Sequence, residues 1–191
     1  MCADPGRALA LAQDLLSEPR MFNHSHGLWG YSGAAGGDGE ELTIQSTGIG
    51  GPSAAIVFEE LIALGLERAV YVAEAAAITS GPGLVIVSSV ICEDGAGRAL
   101  AGGERADADA GLLERLRRAA PEAAVGAVVS GDLYYEESAW QRWAGLGALA
   151  FDMQAGALIA LGAGQGVPAG CLLEIGTGDA LAAARAAASA I

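Results

Sequence analysis

Two hydrophobic rhythms alternate along this chain, and their order predicts its elements. Residues 68–73, 84–91 and 124–130 are nearly unbroken apolar runs of strand length, rich in Val, and 170–175 is a fourth. Such runs read as strands buried on both faces. Between and around them, apolar residues recur at helical spacing over 8–16, 53–64, 108–119, 137–144, 153–164 and 179–191. Gly65 suits the C-terminal cap of the second of these helices, and Pro121 stops the third. Residues 28–32 and 41–45 read as a hairpin pair across the Gly-rich segment 33–39, and 94–107 as a charged surface loop. Helices alternating with strands predict a single α/β domain over 1–191, three-layer α/β/α with a largely parallel central sheet.

Composition narrows the partners. The chain has 191 residues, 52% of them hydrophobic, a net charge of −13 and no lysine. That acidity argues against nucleic acid or an anionic membrane surface as partner. No apolar run reaches the length of a membrane span, and no secretory leader pattern opens the sequence. Cys2, Cys92 and Cys171 lie far apart with no CxxC spacing, as expected of reduced thiols in a cytoplasmic protein. His24 and His26 are the only histidines, and no Cys or carboxylate cluster sits near them, so no metal site is expected.

The most informative stretch is Ser46-Thr47-Gly48-Ile49-Gly50-Gly51-Pro52-Ser53, between the 41–45 strand and the 53–64 helix. Glycines there let a ligand approach the backbone, and the helix N-terminus turns free N–H groups toward it. Pro52 suits the first helical turn and Ser53 its capping region. The alternative is a tight βα turn that binds nothing. The third glycine of a dinucleotide fingerprint is missing, and without lysine a P-loop is excluded.

With these elements placed, the chain resembles the nucleoside phosphorylase family that includes uridine phosphorylase and the bacterial hexameric purine nucleoside phosphorylases. The likeness runs from Asp4 to about Leu173. It is carried by Asp4-Pro5-Gly6-Arg7, Gly27-Leu28-Trp29-Gly30-Tyr31-Ser32-Gly33, the 46–61 stretch, Ser130-Gly131-Asp132-Leu133-Tyr134-Tyr135 and Asp152-Met153-Gln154-Ala155. The resemblance implies a mixed-sheet α/β/α fold assembled as dimers or hexamers. It also implies reversible cleavage of a nucleoside N-glycosidic bond, with inorganic phosphate as co-substrate and no other cofactor.

Carried over residue by residue, the resemblance gives Arg7 to phosphate and places His26 near an arginine that a neighbouring subunit lends. Other positions depart. Tyr71 stands where the family has a second phosphate arginine, Glu74 where it has Ser or Thr, and Ala73 and Ala76 replace glycines. Two unit charges ~4 Å apart repel by about 4 kcal/mol at an effective dielectric of about 20, so an inward Glu74 would cancel most of what Arg7 supplies. Either Glu74 pairs with Arg7 in the phosphate's place, or it turns outward. On the nucleoside side the resemblance implies contacts from Ile49 and Gly50, Tyr134 stacking on the base, Met153 packing on the ribose and Gln154 bonding its hydroxyls. Gln154 replaces a glutamate, and without its charge transition-state stabilisation weakens more than binding. Met153 also fits a plain core position. In hydrolysis Glu74 or Asp152 is a weaker candidate for orienting water, and Asp179 is one for protonating the base, although Asp179 also suits a helix cap. The strand that leads into the Arg7 loop in the family has no counterpart before Asp4. The expected activity is phosphorolysis with an altered phosphate site, or hydrolysis of the same bond, or nucleoside binding without turnover.

Overall fold

The computed structural model describes residues 1–36, 39–80, 83–135, 137–176 and 180–191, which form two compact units, Met1–Gly48 and Ile49–Ile191. In the first unit, Asp4 accepts the Arg7 amide N–H at 2.7 Å and starts helix α1 (Pro5–Leu15), with Pro5 at its first position. Three antiparallel strands follow: β1 (Leu16–Asn23), β2 (Gly30–Ala35) and β3 (Glu41–Gln45). The expected hairpin is present, with Gly30 opposite Gln45 and Ala34 opposite Glu41. β1 carries Pro19 and is exposed over most of its length, so no alternation marks it.

The second unit opens with α2 (Gly51–Ala63), and its N-cap is Gly50 rather than Ser53. Gly50 has φ +85° and ψ 158°, backbone space that glycine alone occupies without strain. Gly65, at φ +98°, terminates the helix as expected: its N–H bonds the Ile62 carbonyl while Leu66 N–H bonds Leu61.

Strands β4 (Ala69–Ala77), β5 (Leu84–Cys92), β6 (Arg105–Asp107), β7 (Ala124–Ser130), β8 (Ala150–Asp152) and β9 (Ala169–Ile175) form one sheet in the order β6-β5-β7-β8-β4-β9. β9 also pairs with β5, so five of these strands close into a small ring with β6 at its flank. Within the sheet β4–β9, β5–β7 and β7–β8 are parallel, while β4–β8, β5–β6 and β5–β9 are antiparallel. The fold is α/β with a mixed sheet. It is neither largely parallel nor an open three-layer sandwich, because β8 pairs antiparallel with β4 at Ala76 and Ala77 and β9 pairs with both β4 and β5.

Helices α4 (Ala110–Ala119) and α7 (Ala180–Ala190) pack on the ring, joining Leu112, Leu116, Ala183 and Ala187 to Val70, Val72, Ile86 and Leu172. The 94–107 segment is not a plain loop but holds α3 (Gly95–Ala101) and then β6. Helix α5 (Trp140–Gly145) precedes β8, and α6 (Ala155–Gln165) follows it, buried on every side through Gly162. Small residues permit that burial. A Cβ added at Gly162 would lie 2.6 Å from the Ala169 Cβ. No described helix is long and apolar enough to cross a membrane.

Leu116 is fully buried in the α4–α7 core, so Leu116→Ala should destabilise the protein by about 2–5 kcal/mol, read as a lower urea midpoint at unchanged slope.

Candidate functional site

β8 delivers the sequence Phe151-Asp152-Met153-Gln154 to the head of α6, and Asp152 is wholly buried there. Its Oδ1 accepts the Ser130 hydroxyl at 2.7 Å, and its Oδ2 accepts the Gln154 amide N–H at 2.9 Å. The Ala155 N–H lies 3.0 Å from Oδ2 and 3.2 Å from Oδ1. Ser130 Oγ in turn accepts the Gly156 N–H at 2.9 Å. Three of the helix's orphan N–H groups are thus satisfied by one carboxylate and one hydroxyl, which fixes the first turn of α6. Burial pushes the Asp152 carboxyl up to about 6, while the hydrogen bonds from Ser130, Gln154 and Ala155 pull the other way. Both oxygens are engaged by the scaffold. Asp152 therefore fixes the head of α6.

Gln154 is buried and Met153 half-buried, the latter against an aromatic cluster. Phe151 stacks on Trp143 with centroids 5.2 Å apart, and the Tyr134 ring meets Phe151 edge-on at 6.3 Å. Gly131 lets this approach occur, since a Cβ there would lie 2.7 Å from the Phe151 ring. Asp132 Oδ2 accepts the Gly95 N–H at 3.0 Å, tying the Tyr134 segment to the start of α3. Tyr134 itself is 53% exposed. At the head of α2, Gly50 presents bare backbone and Ile49 is 81% exposed. Gly50 and Gln154 thus cap helices, Met153 joins β8 to α6, Tyr134 lies on a tied segment and Ile49 precedes a helix start.

The phosphate candidates differ. Tyr71 is buried in β4, and Glu74 is exposed on the same strand, as in the outward reading. A buried carboxylate standing in for phosphate is not found at Glu74. In the first unit Arg7 is half-buried in the opening turn of α1, and His26 is exposed with φ +55°. Non-glycine residues adopt that conformation rarely. Asn23 fixes the turn around it, donating to the Leu28 carbonyl at 2.7 Å and accepting the Ser25 N–H at 3.1 Å. Asp179 lies outside the described residues. Among the described residues no group of His, Cys, Asp or Glu is arranged to hold a metal. The sequence does not single out Ser130 as the partner of Asp152 or Asp132 as a tether; an Asp three residues before a helix is the available signal for the first.

The family model described as the phosphorylase superfamily matches residues 1–189. A protein of Alkaliphilus metalliredigens named purine nucleoside phosphorylase DeoD-type is 30% identical over 184 residues, covering 90% of this chain and 78% of its own. One of the same name from Clostridium perfringens is 31% identical over 186 residues, covering 90% and 77%.

Gly156→Ala should cost about 1–3 kcal/mol in denaturant unfolding, because the new methyl would sit 2.8 Å from Asp94 Oδ1 and 3.0 Å from the Ser130 Cβ. A second expectation concerns pH. The folded state keeps the Asp152 proton that the unfolded chain has already released, so this contribution is complete at low pH and is lost as pH rises. Thermal unfolding should therefore show wild type losing stability relative to Asp152→Asn between pH of about 4 and about 6.

Proposed function

The chain belongs to the phosphorylase superfamily, and on that premise we propose that it binds a purine nucleoside and cleaves its N-glycosidic bond with little assistance from phosphate. The names of the relatives support the purine. The observation that carries the reading is the capped head of α6, where Met153 and Gln154 follow a carboxylate locked by Ser130 and backbone amides. A thioether suits the apolar face of a sugar, and a carboxamide bonds its hydroxyls. The half-exposed Tyr134 ring on Phe151 offers a surface for a base.

Turnover is weakened on two counts. Gln154 brings no charge to a transition state with positive character at the sugar, so it contributes nearly uniform binding. On the phosphate side, Arg7 is the only cation that matches the resemblance, Tyr71 replaces another, and the chain as a whole carries −13. An anionic nucleophile is disfavoured in such a field, and water becomes the competing acceptor. Asp152 serves as a positioning residue and Glu74 remains outside the chemistry. The reading needs no metal or organic cofactor. It places the protein in the cytoplasm as a homodimer or hexamer. His26, held at the tip of a rigid exposed turn, is the residue offered to a neighbouring subunit. Gln154 also supports a second reading, nucleoside binding without turnover.

A purine nucleoside panel with and without phosphate, following release of free base, should give slow release that phosphate accelerates by less than about threefold. Strong phosphate dependence would overturn the phosphate-poor reading. No release, with thermal stabilisation by a nucleoside, would select the second one. Gln154→Glu should raise kcat by roughly tenfold while changing KM little, since it restores charge where the transition state develops its own.

A further inference from the structure

Asp94 has no role in the chemistry above, yet its side chain is fully buried. Oδ2 accepts the Gly97 N–H at 2.6 Å and caps α3, whereas Oδ1 has no hydrogen-bond partner among the described residues. A buried carboxylate oxygen left unbonded is costly and calls for a compensating field. The surrounding glycines show which helix starts approach the carboxylate most closely. A Cβ built on Gly51 would lie 2.9 Å from Oδ2, one on Gly156 2.8 Å from Oδ1, and one on Gly97 2.5 Å from Oδ1. Gly51 is the first residue of α2, Gly97 the third of α3 and Gly156 the second of α6. Three helices therefore start against one carboxylate, each presenting the positive end of its peptide dipoles. The α6 amides are already bonded to Asp152 and Ser130, so Asp94 acts on that helix through its charge. Any side chain larger than hydrogen at the three glycines would push the helices off it.

We propose that Asp94 is a positioning residue whose charge is shared by the N-termini of α2, α3 and α6, and so sets the spacing between Gly50 on one side and Met153 and Gln154 on the other. Its consequence for nucleoside affinity rests on the function proposed above, whereas its hold on the three helices does not.

Two variants of the full chain separate this role from simple capping of α3. Asp94→Ser retains a good N-cap oxygen for α3 but is too short to reach the other helices and carries no charge. Asp94→Asn retains the shape without the charge. Amide hydrogen exchange should become at least about tenfold faster in residues 54–57 and 155–158 of the Ser variant while α3 stays protected, with the Asn variant intermediate. In both, KM for a purine nucleoside should rise by about tenfold with kcat changed less. Wild-type exchange in α2 and α6 of the Ser variant would reduce Asp94 to a local cap and overturn the proposal. Uniform acceleration that includes the ring strands would overturn it too, as loss of general stability. If wild type neither binds nor cleaves any nucleoside, the proposed function fails while the exchange pattern still decides the role of Asp94.

Discussion

Hydrogen bonds from the first amides of α6 to Asp152, and through Ser130 to the same carboxylate, tie together a buried polar corner of the larger unit. The Met153–Gln154 backbone is held in place, because the Gln154 and Ala155 N–H groups both bond that carboxylate. Ser130 ends β7 and Asp152 ends β8, and the two strands run parallel with Ser130 opposite Asp152. The corner is thus the register of a parallel pair made chemical: a slip of one residue would turn one of the two side chains to the other face. A carboxylate buried this way is expensive, and it is tolerated because its lone pairs are filled by donors that the helix start leaves over.

Phe151 links this polar corner to an apolar one. It is one residue from Asp152, and it bears Trp143 on one side and Tyr134 on the other. The ring that would meet a base and the side chains that would meet a sugar are therefore braced by neighbours in sequence. Asp132, bonded to the Gly95 amide, carries the same bracing across to α3. Preorganisation of this kind favours binding, and the change from carboxylate to carboxamide at Gln154 limits what binding can do for rate.

Much of this was readable before any coordinates. The β3 boundaries, the hairpin, β7 and the Gly65 cap follow from alternation, β-branched runs and turn chemistry, which are local signals. Pro52 marked the first turn of α2 for the same reason, although the expected cap was Ser53 and not Gly50. Closure of the sheet was not readable, because it depends on β8. That strand has three residues and its antiparallel approach to β4 is a tertiary event. β1 hid behind Pro19 and an exposed face. α3 hid in a charged, glycine-rich segment, although Asp94 three residues before Gly97 was a legible cap. Among site residues, Met153, Gln154 and Tyr134 were picked from motifs. The engagement of Asp152 and the exposure of Glu74 required knowing what surrounds each carboxylate, which a linear pattern does not encode.

The ring of strands has a bearing on how the molecule is made. β4 finds its parallel partner β9 a hundred residues later, with Ala69 paired to Ala169, and β9 must also meet β5 to shut the circle. A ribosome that has released β4 to β8 has produced an open band with two unsatisfied margins, vulnerable to neighbours on the same polysome. Closure of the ring is therefore a late, non-local step, the kind of pairing whose loop entropy must be met before its contacts form.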